Sequence, residues 1–205
     1  SADRINLLAL HFTAAEDTGR ARMYTLAAGR RAQEHYALLE ARSHFQRALQ
    51  SVGTGEPEWV ECMCALAEIA RDSGELAAYR EAVDQLAEAA LSPAPLRYHL
   101  LQADLLGRDR GPASAMMYLQ LLDVGSLSSP ERQRHTIAVV NALRNAGNIA
   151  QALAGCEEAL AGKDGNEDPH LAVELRTSWA VALNSAGRPE ESLAALAAEL
   201  GNLEN

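Results

Sequence analysis

The chain has 205 residues, enough for one extended or two small domains with a sizeable core. Hydrophobic residues reach 48 % although aromatics are only 4 %. The excess is alanine and leucine, the leading helix formers, while the residues that fill strands are scarce, so an all-α chain is expected. A formal net charge of −10 argues against a nucleic-acid or anionic-membrane binder. No apolar run approaches ~18 residues, so no transmembrane helix is expected, and nothing has the pattern of a secretory leader. The first residue is Ser1 rather than Met, which reads as a piece of something larger. Cys62, Cys64 and Cys156 are odd in number, with no disulfide-framework spacing, which favours a reducing, cytoplasmic setting.

In chain order, helices are predicted over 3–15, 19–35, 37–51, 57–72, 75–90, 95–106, 112–123, 130–146, 149–161, 169–186 and 189–200. Two kinds of breaker alternate between them. Longer loops end in proline at Pro57, Pro95, Pro130 and Pro169, where a first-turn proline loses no intrahelical hydrogen bond. Ser129 and Asp168 precede two of these prolines as N-cap candidates. Shorter turns carry glycine: Ser73-Gly74-Glu75, Gly107 to Gly111, Ala146-Gly147-Asn148 and Ala186-Gly187-Arg188. Glycine there supplies the left-handed conformation that ends a helix. The pattern is a row of helical hairpins.

Aligning Gly74, Gly147 and Gly187 places repeat starts near 22, 60, 96, 133 and 173, after a leading helix region over 1–21. In the second helices Ala41, Phe45 and Ala48 have the A-x3-F-x2-A arrangement. Ala115, Leu119 and Leu122, and then Ala152, Cys156 and Ala159, take the same places. In the first helices small residues sit where the pair crosses, at Gly29, Ala67, Ala103 and Ala180, with Val140 the exception. Over about 22–205 this resembles the tetratricopeptide repeat (TPR). The resemblance implies one right-handed superhelix of about five TPR-like hairpins across 1–205. Tyr79, Ser192 and Glu199 depart from the pattern, and the repeat steps are longer than the family norm.

The stretch Ile5-Asn6-Leu7-Leu8-Ala9-Leu10-His11-Phe12-Thr13-Ala14-Ala15-Glu16-Asp17, continued through Ala21 to Ala32 and on to Leu49, resembles a second group. It is similar to the start of the C-terminal repeat region in bacterial STAND-type ATPase regulators, among them LuxR-type activators and ATPase-coupled nucleotide cyclases. That implies the sensor or scaffold portion of a signalling regulator. The chain has no Gly-rich loop with Lys-Ser/Thr and no cyclase or DNA-binding segment.

No catalytic constellation is legible, so a non-enzyme without metal or cofactor is expected. Cys62-x-Cys64 lies within a helix, where residues two apart point in different directions, and is not a zinc-ligand spacing. The six histidines are scattered, although His35 and His44 could approach across a hairpin turn. Glu157-Glu158 and Glu190-Glu191 read as solvated helix acids, the second pair favoured by the helix dipole.

Arginine placement points further. In a TPR superhelix the first helix of each hairpin lines a concave groove, and the second, fifth, ninth, twelfth and thirteenth repeat positions face inward. Those positions hold Arg30, Arg71, Arg97, Arg108, Arg134 and Arg144, beside Glu34, Glu61, Glu68, Asp72, Asp104 and Glu174. Gln33, Asn141, Thr177 and Asn184 add polar groups to the same wall. Arginine clamps carboxylates bidentately and asparagine holds an extended peptide backbone. The expected site is therefore Arg30, Arg71, Arg97, Arg134, Asn141, Arg144, Thr177 and Asn184, taking a protein or an extended, acidic peptide. The plain alternative is that these arginines pair with the acids of the same wall and solvate it. The function read from the sequence is a non-catalytic binding scaffold; the competing reading is a small-ligand sensor within a larger ATPase regulator. The sequence does not set the oligomeric state.

Overall fold

The computed structural model describes residues 2–15, 17–161 and 169–203. Eleven α-helices run through them: α1 Ala2–Ala14, α2 Thr18–Glu34, α3 Leu38–Leu49, α4 Pro57–Asp72, α5 Leu76–Glu88, α6 Leu96–Arg110, α7 Pro112–Gln120, α8 Ser129–Asn145, α9 Ile149–Ala161, α10 Pro169–Ser185 and α11 Pro189–Leu203. A short 3-10 turn follows α7 at Val124–Ser126, and no strand occurs among the described residues.

The all-α class expected from composition is the class found, and most boundaries lie within two residues of those predicted. Two of the differences have a clear local reason. The predicted break at Gly107 is helix, because α6 continues to Arg110 and the positive φ falls on Gly111. Gly107 serves packing instead: a Cβ there would lie 3.3 Å from the Ala115 Cβ on α7. The cap of α8 is Ser128 rather than Ser129, with Pro130 one position further into the first turn. The Glu131 carboxylate accepts from the Ser128 backbone N–H (2.9 Å) and hydroxyl (2.6 Å), which draws its pKa below the usual carboxylate range. The expected Asp168 cap lies outside the described residues.

Two compact units are present, residues 1–101 and 102–205. In the first, α1 packs on α2, α2 on α3, α3 on α4 and α4 on α5. Leu26, Ala41, Phe45, Cys62, Ala65 and Ile69 form its core cluster. In the second, α7 packs on α8, α8 on α9, both on α10, and α10 on α11, around Ile137, Val140, Ala152, Cys156, Leu171 and Leu175.

The small positions behave as close crossings. A Cβ on Gly29 would lie 3.0 Å from the Phe45 ring, so the aromatic of α3 occupies the space that glycine leaves on α2. Val140, the larger residue in this series, faces Gly155 of α9, where an added Cβ would lie 3.4 Å from its methyl. The space has moved to the other helix. The two described departures from the repeat pattern carry polar handles. Tyr79 is fully buried and donates its hydroxyl hydrogen bond to the Leu101 carbonyl at 2.7 Å. Ser192, also buried, donates to the Ala180 carbonyl at 2.7 Å. Each polar group is satisfied inside, as burial requires.

Candidate functional site

In the first unit the first-helix residues join into a polar ladder. Arg30 on α2 forms a bidentate pair with Glu61 on α4. Gln33 on α2 donates to Glu68 on α4 at 2.8 Å, and Arg97 at the start of α6 grips the same carboxylate with two bonds of 2.5 Å. Three successive first helices are thereby tied through two carboxylates. Burial disfavours the charge on Arg97, yet the hydrogen bonds and charge of Glu68 outweigh it and raise its pKa above the ordinary arginine value. The Glu61 hydrogen bonds raise that of Arg30 in the same sense. Arg71 bonds the neighbouring Asp72 at 2.9 Å. The expected site residues of this unit already have acids in hand.

The second unit differs. Arg108 on α6 pairs with Asp104 one turn back at 2.7 Å. On α8, Arg134 is exposed, with Glu131 the acid that senses its charge. Arg144 is half-buried, and its Nε atom is fully buried with no hydrogen-bond acceptor among the described residues. Asn141 is half-buried between them in sequence. On α10, Thr177 and Asn184 are exposed, and the Thr177 hydroxyl donates to the Val173 carbonyl at 2.8 Å. Trp179, on α10 as well, packs against the core cluster while its Nε1–H is buried without an acceptor among the described residues. The α8–α10 pair thus holds two buried donors that no group among the described residues accepts. Sequence reasoning named Arg144 from its repeat position but gave no polar role to Trp179, because an indole at a packing position reads as core.

The remaining candidates have structural surroundings. A ring nitrogen of His35 meets the Arg31 carbonyl at 2.9 Å, and His44 lies 3.7 Å from Glu40. No group of three metal-ligating side chains occurs among the described residues. Cys62, Cys64 and Cys156 are buried and unpaired. Burial pushes the first two thiols up to about 12 and Cys156 to about 11. No helix among the described residues is long and apolar enough to cross a membrane.

Neither a family model nor a curated protein matches the chain. Solved structures do. Nearly identical TPR-like repeats of a kinesin light chain from Podosopora anserina align over 86 % of this chain and 92 % of that one, with a TM-score of 0.54 and 16 % identity. BtubC (BKLC) from P. vanneervenii aligns over 97 % of this chain and 85 % of that chain, with a TM-score of 0.58 and 17 % identity. The fold is a TPR-like helical repeat. In TPR-like terms, α2, α4, α6, α8 and α10 are first helices, and each first-helix arginine described above belongs to one of them.

Proposed function

We propose that this TPR-like chain is a non-catalytic binding scaffold for protein or extended peptide segments carrying carboxylates. The site is the first-helix face of the second unit, with Arg134 and Arg144 as anchors and Asn141, Thr177 and Asn184 beside them. One observation carries the reading. Arg30 and Arg97 are held by Glu61 and Glu68, whereas among the described residues no acid holds Arg144 and its Nε donor is buried without an acceptor. An unpaired guanidinium stays charged at any physiological pH, so the face attracts carboxylates although the chain is acidic overall. Arg71 and the ladder arginines act as framework in this reading. The three buried free thiols support a reducing, cytoplasmic setting. The resemblance of residues 5–49 to STAND-type regulators supports placing this face on the receptor side of a larger signalling protein.

The test is a peptide array enriched in Asp and Glu, with hits measured by calorimetric titration. Changing Arg134 and Arg144 together to Glu is expected to weaken such a hit at least tenfold, about 1.4 kcal/mol. The melting temperature of Arg134→Glu alone should hardly move, because Arg134 is exposed and exposed charges contribute little to stability. Unchanged affinity would place the partner elsewhere, and unfolding would show the two arginines to be structural.

A further inference from the structure

In the first unit Arg20, Arg22, Arg30, Arg42, Arg71 and Arg97 each stand within salt-bridge reach of an Asp or Glu. Arg47 of α3 does not. It is exposed and makes no ion pair or side-chain hydrogen bond among the described residues, although the chain carries a net charge of −10. It also lines a cleft of about 190 Å³ between α1, α2 and α3, with Phe12, Ala21 and Ala48 as apolar walls.

The Phe12 wall is fixed in place. Tyr24 stacks on its ring, with centroids 5.3 Å and planes 4° apart, and the Arg20 guanidinium lies 5.3 Å from its centroid. Two hydroxyls complete the lining, and their protons are already committed. Thr25 donates to the Ala21 carbonyl at 2.7 Å and Ser51 to the Ala48 carbonyl at 3.1 Å. What each oxygen still offers is acceptor capacity. Arg22, also in the lining, has Glu56 at 3.6 Å and Glu58 at 4.0 Å, which is attraction beyond hydrogen-bond reach. One cleft therefore combines a cation without an acid, a held aromatic wall and two acceptors.

We infer that this cleft binds a small carboxylic acid that has an aromatic or apolar body and a hydrogen-bond donor. Arg47 takes the carboxylate as a bidentate pair. The body lies along Phe12, Ala21 and Ala48, and the donor reaches the Thr25 or Ser51 hydroxyl. The volume sets the size: drug-sized ligands need roughly 300 Å³ or more, so 190 Å³ suits a smaller acid. The lining sets the class. A phosphate would bring further oxygens against walls that are apolar or themselves accept, leaving acceptor facing acceptor. The inference stands apart from the Arg134–Arg144 face, which lies in the other unit.

An NMR titration of the full chain with para-hydroxyphenylacetate, which has all three features, reads this directly. A dissociation constant of about 1 mM or tighter is expected, the range open to so small a ligand. Tyrosol, the uncharged alcohol of the same body, should bind at least tenfold more weakly. Phenylacetate, which lacks the donor, should bind at least threefold more weakly, and phenyl phosphate should also bind more weakly than the probe. Arg47→Gln should weaken the probe at least tenfold with the melting temperature nearly unchanged, because the lost charge is exposed. Arg110→Gln, an exposed arginine of the other unit, should bind it as the parent does. Absence of binding at about 20 mM probe overturns the inference. So does an Arg47→Gln variant that binds like the parent, or an Arg110→Gln variant weakened to the same extent as Arg47→Gln. Equal affinity for tyrosol or phenylacetate, or tighter binding of phenyl phosphate, overturns it on the parent protein alone.

Discussion

At the scale of single residues, this chain is governed by how little space its helix crossings leave. Ala152 is fully buried in the core of the second unit, and Ala152→Phe is expected to overpack it at a cost of roughly 1–3 kcal/mol or more. A chemical-denaturation change below ~0.5 kcal/mol would show that α9 does not cross its neighbours at this residue. The cysteines give a second residue-scale outcome. Their buried thiols are pushed up to about 12, 12 and 11, so at pH 8 the folded protein holds almost no thiolate. Native protein should leave all three unreactive toward a thiol-specific chromogenic reagent, and all three should react once denaturant unfolds the chain. The pH dependence has a definite sign. An unfolded cysteine ionises near ~8.5, so between about pH 8.5 and 11 the unfolded state binds fewer protons than the folded state. Stability then falls as pH rises through that window. Urea midpoints that stay flat from pH 8 to 10 would contradict the burial of these groups.

At the scale of elements, the hairpins are joined by two different means, and only one was legible in the sequence. The crossings were readable from small residues: Gly29 leaves room for the Phe45 ring, and Ala67, Ala103 and Ala180 are all buried. The glycine turns were readable for the same reason. The exceptions depend on partners far along the chain: Val140 fits because Gly155 is small, and Tyr79 fits because its hydroxyl reaches the Leu101 carbonyl. Repeat positions named the wall arginines, but not which of them hold an acid, because bidentate geometry between helices is set by rotation and rise that periodicity leaves open. The Gln33–Glu68–Arg97 ladder is the clearest example. Glu68→Ala would leave a half-buried guanidinium and an amide without their shared acceptor. Charge-assisted hydrogen bonds contribute ~1.5–3 kcal/mol when well buried; with the Arg97 side chain 38 % exposed, a loss of about 1–2 kcal/mol is expected. Equilibrium urea unfolding checks it, and Glu68→Gln should recover part of the loss, because its amide oxygen still accepts. Loss below ~0.3 kcal/mol would mean the ladder only solvates the face.

At the scale of the whole chain, repeat architecture sets how unfolding proceeds. Within each unit consecutive helices pack on one another, and in a repeat array stability is approximately a sum of local and nearest-neighbour terms rather than one global core. Each unit has its own buried cluster. Each also has one of the two tryptophans, Trp59 in the first and Trp179 in the second. Trp59→Phe and Trp179→Phe variants therefore leave a fluorescence reporter in a single unit. Urea transitions followed through the two reporters are expected to have different midpoints, and the calorimetric enthalpy should exceed the van't Hoff value, the signature of departure from two-state behaviour. Combining the reporters with Ala152→Phe sharpens the test, because that substitution lies in the second unit. With a denaturant slope of about 1–2 kcal/mol/M for a unit of this size, its cost should move the Trp179 transition by roughly 1 M urea and leave the Trp59 transition nearly in place. Coincident transitions that shift together would establish instead that all the hairpins unfold as one cooperative body.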